Sequence, residues 1–240
     1  MKIIDIYNIL DELSPFELQE KWDNSGLQVG TFYEEPENVV LSMDIDAELL
    51  ERVPANTLLI VHHPLIFSPL KSLNFSEYPS ILIREMIKKN ISMIAMHTNF
   101  DKTHLNRYVA HKILDFESAI CDDFICYYDV DMSFEEIADL VKKNLNLPIL
   151  KSVKTKERIK RVALTTGSGG SLIKEVKADL FLTGDIKYHD AMEAKAVGLS
   201  MIDIGHYESE RYFAEILASH LKKYEIEVII TPSKNPFEYL

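Results

Sequence analysis

Short apolar runs alternate along the chain with longer segments in which apolar residues recur every three or four positions. Runs of the first kind are typical of buried strands, and the periodic segments are typical of helices that bury one face. Alternation of strands with helices predicts an α/β fold. We predict strands in NVVLSMDI, TLLIVHH, ISMIAMH, RVALTTG, ADLFLTG and LSMIDIG.

The predicted helices share the three- and four-residue spacing of apolar side chains. One of them has a local start signal, because Ser133 and Glu136 form an S-x-x-E capping box. The helical segments are DAELLERV, PSILIREMIKKN, THLNRYVAHKIL, FEEIADLVKKNL, SLIKEV, YHDAMEAKAVG and SERYFAEILASHLKKY.

The two halves of the chain repeat the same order of elements. VVLSMDIDAELLERVPANTLLIVHH resembles VALTTGSGGSLIKEVKADLFLTGD, and the steps from Val40 to His62 and from Val162 to Gly184 are both 22 residues. Such self-similarity is typical of an internal duplication. We predict two similar α/β lobes, residues 1–118 and residues 119–240, packed as one compact unit with the functional site in the crevice between them. Segments near the C-terminus are candidates to complete the first lobe.

Composition narrows the class of partner. The chain of 240 residues is 47% hydrophobic and has a formal net charge of −12, which opposes a broad phosphate-binding surface and so a duplex nucleic acid partner. No apolar run approaches the roughly 18 residues of a membrane span. Residues 1–10 are interrupted by Asp5 and lack a cleavage site, so we expect no signal peptide and a cytoplasmic protein.

The two cysteines lie in ICDDFICYYD. Their spacing of five, from Cys121 to Cys126, fits neither a zinc knuckle nor a redox C-x-x-C pair. We therefore expect two reduced, mostly buried thiols in this strand-like segment.

Candidate metal ligands follow three of the predicted strands. Open α/β sheets collect ligands outside the carboxyl ends of their strands, so residues far apart in sequence can converge there. Adjacent imidazoles can serve neighbouring ions and a carboxylate can bridge them, so we predict two divalent ions. A mixed set of nitrogen and oxygen ligands suits Zn, Fe, Mn, Co or Ni better than Ca or Mg. The predicted ligands are His62, His63, Asp101, His206 and Glu210.

Each of these predicted ligands also has an alternative role in which it binds no metal. The adjacent histidines could be a half-buried pair, and His206 and Glu210 could belong to an exposed polar helix face. Asp101 could be the N-cap of a helix that starts near Thr103. His97 lies inside a predicted strand, which favours packing or support of a ligand over ligation.

Two further segments are candidates for an active site. Asp185 and His189 follow a strand of the second half, where they are placed for proton transfer, with His189 as general acid or base. The alternative is a capping aspartate and a surface histidine. Gly167–Gly170 could form an anion-binding nest at a helix start or simply a tight turn.

Five blocks of sequence occur along the chain in the order WDNSGLQVG, VHHPLIF, HTNFD, GDIKYHDA and GHYESER. Together they resemble the YbgI-like proteins, also called GTP cyclohydrolase 1 type 2 homologues, relatives of the Ngg-interacting factor proteins. The resemblance runs nearly end to end and implies the same five metal ligands, with Glu210 as the bridge. It also implies two α/β lobes, a homohexameric ring, and a short form that lacks the domain inserted in longer members.

The activity implied by the resemblance is a dinuclear metal-dependent GTP cyclohydrolase. Activated water would attack the imidazole-ring carbon of guanine, open the ring and release formate from this small-molecule substrate. One alternative is a phosphoesterase or nucleotide hydrolase that uses the same metals. The other is a non-catalytic metal-binding assembly or interaction protein.

Overall fold

The computed structural model describes residues 1–116 and 120–238. They form two compact units, of which the first comprises Met1–Phe100 and Arg211–Lys234. The second comprises Asp101–Glu210 and the residues from Asn235 onward. Each unit contains its own mixed α/β sheet, so the predicted two-lobed α/β fold is confirmed. The boundary predicted between residues 118 and 119 lies outside the described residues.

The strands include all six that the sequence predicts, together with short strands at the edges of the sheets. In chain order they are β1 (Gly26–Val29), β2 (Asn38–Ser42), β3 (Thr57–Val61), β4 (Ser92–Ala95), β5 (Ile120–Asp122), β6 (Ile125–Ser133), β7 (Ser152–Val153), β8 (Arg158–Leu164), β9 (Leu180–Thr183), β10 (Ser200–Asp203) and β11 (Ile229–Ile230).

The helices follow the predicted periodic segments, with the addition of an N-terminal helix. They are α1 (Ile3–Leu13), α2 (Ala47–Arg52), α3 (Ser80–Lys88), α4 (Thr98–Phe100), α5 (Asn106–Tyr108), α6 (Phe134–Asn144), α7 (Tyr188–Val197), α8 (His206–Glu210) and α9 (Phe213–Leu221). Wide π-helical turns at Asp101–Leu105 and Val109–Ile113 extend α4 and α5. Among the described residues, no helix has the length and apolar character to cross a bilayer.

The two sheets have the same arrangement of parallel strands at their middle. In the first unit the strand order is β1-β4-β3-β2-β11, and β2, β3 and β4 are parallel. In the second unit the order is β5-β6-β8-β9-β10-β7, and β8, β9 and β10 are parallel. An antiparallel strand borders the third parallel strand in each unit, β1 beside β4 and β7 beside β10. This correspondence is what an internal duplication predicts.

Burial explains why these strands are recognisable as apolar runs. All five residues of β3 and all four of β9 are buried, as expected for parallel strands that are covered on both faces. In the first unit Leu59 and Met93 pack with Met86 of α3. In the second, Phe181 and Met201 pack with Ala194 of α7. The parallel strands are therefore fixed in place by apolar packing, and their carboxyl ends are left to carry polar groups.

Three local predictions were wrong. SLIKEV does not form a helix, because only a 3-10 turn at Gly170–Leu172 follows β8. The helix after HTNFD begins at Thr98 rather than near Thr103, so Asp101 lies inside it and is not its N-cap. Cys121 and Cys126 are joined by a disulfide, because the β5–β6 register makes them direct cross-strand partners.

The predicted capping box at the start of α6 is confirmed. The backbone N–H of Glu136 donates to the Ser133 hydroxyl at 3.2 Å, and the N–H of Ser133 donates to the Glu136 carboxylate at 2.6 Å. Each residue thus satisfies a backbone donor that the first helical turn leaves unpaired.

Replacing Ser133 with Ala should lower the free energy of unfolding by about 1 kcal/mol, because a backbone donor at the helix start loses its acceptor. Urea denaturation measures the loss. Ser133→Asp should retain most of the stability, and Ser68→Ala, at an exposed position, should have no effect. Equal losses in Ser133→Ala and Ser68→Ala would contradict the assignment.

Candidate metal centre

His62 and His63 lie where β3 ends, and both rings turn to the same side. On a regular strand adjacent side chains point to opposite faces. Here the N–H groups of both residues donate to the single carbonyl of Met43, at 3.0 and 3.2 Å, so the backbone curls at the strand exit. The ring centroids are 4.8 Å apart. The two adjacent imidazoles therefore lie close together at the strand exit.

Hydrogen bonds fix the tautomer of each ring. The Nδ1–H of His62 donates to the carbonyl of Met96 at 2.8 Å, and the Nδ1–H of His63 donates to Asp44 Oδ1 at 2.6 Å. Because both partners are oxygen acceptors, Nδ1 carries the proton in the neutral ring and the lone pair lies on Nε2. That arrangement is typical of metal-ligating histidine, in which a second group orients the ring.

His97 completes a cluster of three imidazoles in the first unit. It lies just past the end of β4, not inside the strand, and its ring centroid is 5.2 Å from that of His62 and 5.5 Å from that of His63. One ring nitrogen from each of the three histidines lies within 4.8 Å of the others. Its Nδ1–H donates to Asp23 Oδ1 at 2.8 Å. The geometry of His97 is thus as suited to a metal as that of its neighbours.

Asp23 fixes both the start of α4 and the ring of His97 in the first unit. Its side chain is fully buried and accepts hydrogen bonds from the Thr98 N–H at 3.1 Å and the Thr98 hydroxyl at 2.5 Å. Burial opposes ionisation, but the hydrogen bonds from His97 and Thr98 outweigh it and hold the pKa of Asp23 well below its usual range. Asp23 therefore caps α4 from a distant part of the chain, which explains why that helix starts at Thr98.

The second unit brings together the other three predicted ligands. His206 and Glu210 are the first and last residues of α8, and His206 Nε2 lies 3.0 Å from Glu210 Oε2. Asp101 begins its π-helical turn, and one of its carboxylate oxygens lies within 4.8 Å of one from Glu210. Both carboxylates are buried. A buried pair of carboxylates beside an imidazole is a set of groups suited to a divalent cation.

Asp185 orients His206. The Nδ1–H of His206 donates to Asp185 Oδ2 at 2.6 Å, which directs Nε2 toward Glu210. Burial disfavours the charged ring, but the nearby carboxylates of Glu210 and Asp185 outweigh burial and raise the pKa of His206 to about 10. The carboxylates around His206 therefore favour its protonated form.

The two residues singled out for proton transfer differ in their surroundings. Asp185 adopts a left-handed backbone conformation, with φ of 52°, directly after β9, and its carboxylate is engaged with His206. His189 lies on the first turn of α7, is exposed, and packs edge-on against Tyr188 with ring centroids 5.5 Å apart. Asp185 therefore contacts a predicted metal ligand, His206, whereas the ring contact of His189 is with Tyr188.

The Gly167–Gly170 turn serves the site because its first residue has no side chain. The N–H groups of Gly167 and Gly169 donate to the hydroxyls of Ser209 and Thr183, as in a tight turn, and no α-helix follows. Gly167 has φ of +62°, and a Cβ there would lie 2.0 Å from Glu210 Oε1. Glycine at 167 is therefore what allows the Glu210 carboxylate to take its position.

Fold and site together define a two-lobed α/β protein with candidate groups for metal binding. The chain belongs to the Duf34/NIF3 (NGG1p interacting factor 3) family, whose model matches residues 1–236. The resemblance drawn from the five sequence blocks is thereby confirmed.

Similar proteins agree with this membership. The chain is 53% identical over 240 residues to the GTP cyclohydrolase 1 type 2 homolog of Campylobacter jejuni, with all of both chains covered. It is 42% identical to the GTP cyclohydrolase 1 type 2 of Helicobacter pylori, with 98% of each covered. A crystal structure of a hypothetical protein from Staphylococcus aureus is similar at a TM-score of 0.87 and 28% identity, covering 100% of this chain and 99% of that one.

Gly167→Ala should reduce metal binding by about tenfold or more, because the new methyl group would displace the Glu210 carboxylate. It should also cost about 1–2 kcal/mol of stability from the left-handed backbone. The matched control is Gly198→Ala, where φ is +75° but a Cβ would meet nothing within 4 Å. Titration with Zn²⁺ and Mn²⁺ should show the affinity loss only in Gly167→Ala; an equal loss in both variants would refute the role of Gly167.

The metal-free protein should lose stability as the pH rises from 6.5 to about 10, because the pKa of His206 is raised from its ordinary value across that range. The protonated ring stabilises the folded state fully below pH 6.5, and this contribution disappears as the ring deprotonates. Thermal unfolding of chelated protein at several pH values measures the effect.

His206→Gln should remove this pH dependence, whereas His111→Gln, which changes a histidine outside the cluster, should preserve it. An unchanged dependence in His206→Gln would show that another group is responsible.

Proposed function

We propose that the protein is a hydrolase that depends on two divalent metal ions, and that GTP is its substrate. The substrate is suggested by the printed names of the relatives from Campylobacter jejuni and Helicobacter pylori. In the cyclohydrolase reaction, one water adds to the imidazole-ring carbon of guanine and one ring C–N bond breaks, which gives a formamide. A second water then cleaves the remaining C–N bond of that carbon, which leaves as formate. The cytoplasmic location and the hexameric ring stay predictions from the sequence.

One observation carries the metal-dependent part of the proposal. The Nδ1–H of every imidazole in the two clusters donates to an oxygen, supplied by Met96, Asp44, Asp23 or Asp185. Because Nδ1 of each ring donates, Nε2 carries the lone pair that a metal would need, and ring nitrogens of His62, His63 and His97 lie within 4.8 Å of one another. The residues proposed as ligands are His62, His63, Asp101, His206 and Glu210.

The metal ions and the side chains of the protein would have different roles in this reaction. Two bound divalent ions would supply a water of lowered pKa and polarise the bond that breaks. Asp44 and Asp185 hold their histidines in the ligating tautomer, and Asp185 itself has a lowered pKa because the His206 side chain donates to it. The buried carboxylates of Asp101 and Glu210 contribute negative charge. Proton transfer by His189 stays a prediction, with its exposed ring accessible from solvent.

The test is elemental analysis of the purified protein combined with release of formate and of phosphate from GTP. We expect about two metal ions per chain and formate release that stops on chelation. His63→Ala and Glu210→Gln should lower metal content with the fold retained by circular dichroism, and His111→Ala is the matched control.

The outcomes separate the alternatives. Metal-dependent phosphate release without formate would replace the cyclohydrolase with a phosphoesterase. Metal without turnover, together with an oligomer that dissociates on chelation, would favour a metal-binding assembly protein. Absence of metal after reconstitution would refute the metal-dependent proposal altogether.

A further inference from the structure

Two aromatic side chains flank the histidine cluster of the first unit and remain open to solvent. Trp22 is 56% exposed and Phe67 is 48% exposed, and their ring centroids are 5.9 Å apart. His97 lies 6.1 Å from the Trp22 ring and 6.3 Å from the Phe67 ring. We call Trp22 and Phe67 the aromatic pair. It forms an apolar surface at the edge of three imidazoles.

Polar side chains hold the two loops that carry the aromatic pair. Asn24 Nδ2 donates to the Ile66 carbonyl at 2.5 Å, and the Ile66 N–H donates to Gln28 Oε1 at 2.9 Å. Gln28 Nε2 donates back to the Asn24 carbonyl at 2.6 Å. The loop before β1 and the loop after β3 are thus joined next to the aromatic pair, so both rings are positioned by their backbone rather than by burial.

The same segment is joined to the histidine cluster. The His97 N–H donates to the Ser25 hydroxyl at 3.1 Å, and Asp23, next to Trp22, accepts from the His97 ring. The motif WDNSGLQVG therefore orients a histidine with one residue and exposes a tryptophan with its neighbour. A structural corner would need the polar bonds but would bury the indole.

Single exposed apolar residues are common on protein surfaces and require no explanation. Phe75 is such a case, since it lies in the same connection between β3 and α3 and its ring is covered by Arg84 at 5.9 Å. The aromatic pair differs because its two rings adjoin a candidate metal centre and lie on segments that the side chains of Asn24 and Gln28 join.

Building on the proposed function, we propose that the aromatic pair binds the purine base of the nucleotide substrate by stacking. Aromatic side chains bind bases through their π-faces, which every base offers. A base seated on Trp22 and Phe67 would adjoin His97, whose ring is within 5.5 Å of both His62 and His63. The reacting ring of a purine is itself part of the stacked surface, so recognition and chemistry would act on the same group.

Trp22 is the sole tryptophan of the chain, so its fluorescence reports the proposed contact directly. The metal-loaded protein is titrated with guanosine, GTP and inorganic triphosphate, with free N-acetyltryptophanamide as a reference for nonspecific quenching. We expect saturable quenching by guanosine and by GTP and none by triphosphate. Phe67→Ala should raise the Kd for guanosine by about tenfold while its melting temperature is unchanged.

Phe75→Ala is the matched control and should leave the Kd unchanged. Saturable quenching without formate release would uphold base binding and refute the proposed reaction. Formate release with no saturable quenching, or with the same Kd in Phe67→Ala and the native chain, would refute base binding and leave the reaction intact. Quenching by triphosphate alone would also overturn the proposal, since the phosphates and not the base would then be bound.

Discussion

The site depends on one constraint, which is that each imidazole must give its Nδ1 proton to a fixed oxygen. The parallel strand order supplies those oxygens for His62, His63 and His206. His62 and His63 leave β3, and their acceptors leave the strands on either side, with Asp44 after β2 and Met96 after β4. His206 leaves β10, and its acceptor Asp185 leaves the adjacent β9. Apolar packing that fixes the strands therefore also fixes the direction of these three rings, whereas His97 is oriented by Asp23 from the segment before the antiparallel strand β1.

The duplicated fold uses this principle twice with different residues. In the first unit the central strand β3 presents imidazoles and a neighbouring strand presents the carboxylate of Asp44. In the second unit the central strand β9 presents the carboxylate of Asp185 and its neighbour presents His206. Close backbone approach makes this possible, since a Cβ on Gly184 would lie 2.7 Å from the Gly167 carbonyl and 2.8 Å from the His206 nitrogen. Duplication preserved the geometry of the strand exits, while the donors and acceptors differ.

The sequence predicted correctly those strands and helix starts that depend only on neighbouring residues. The central strands are apolar runs because both faces are buried, and the α6 capping box spans only Ser133 to Glu136. What it missed depends on distant partners. Thr98 begins a helix because Asp23, 75 residues earlier, accepts its N–H. His97 is oriented by that same residue, and the disulfide depends on the hairpin register that pairs Cys121 with Cys126. The helix α1 has a local signal of its own, since Ile3, Ile6 and Leu10 have helical spacing and are buried.

In the segment from Trp22 to Gln28, the residue that orients His97 is the direct neighbour of the tryptophan that we propose contacts the substrate base. The Asp23 side chain is buried, and its hydrogen bonds hold its pKa below the usual range, so it accepts from the His97 ring as a carboxylate. That ionised state depends on donors from Thr98 and His97, and the loop that contains Asp23 is tied to Ile66 through Asn24 and Gln28. Any shift of the loop would therefore move an exposed indole and an imidazole of the candidate metal centre together. If a base stacks on the aromatic pair as proposed, this coupling would keep it and the nearby imidazoles in constant relative position, which is the condition for chemistry on that ring.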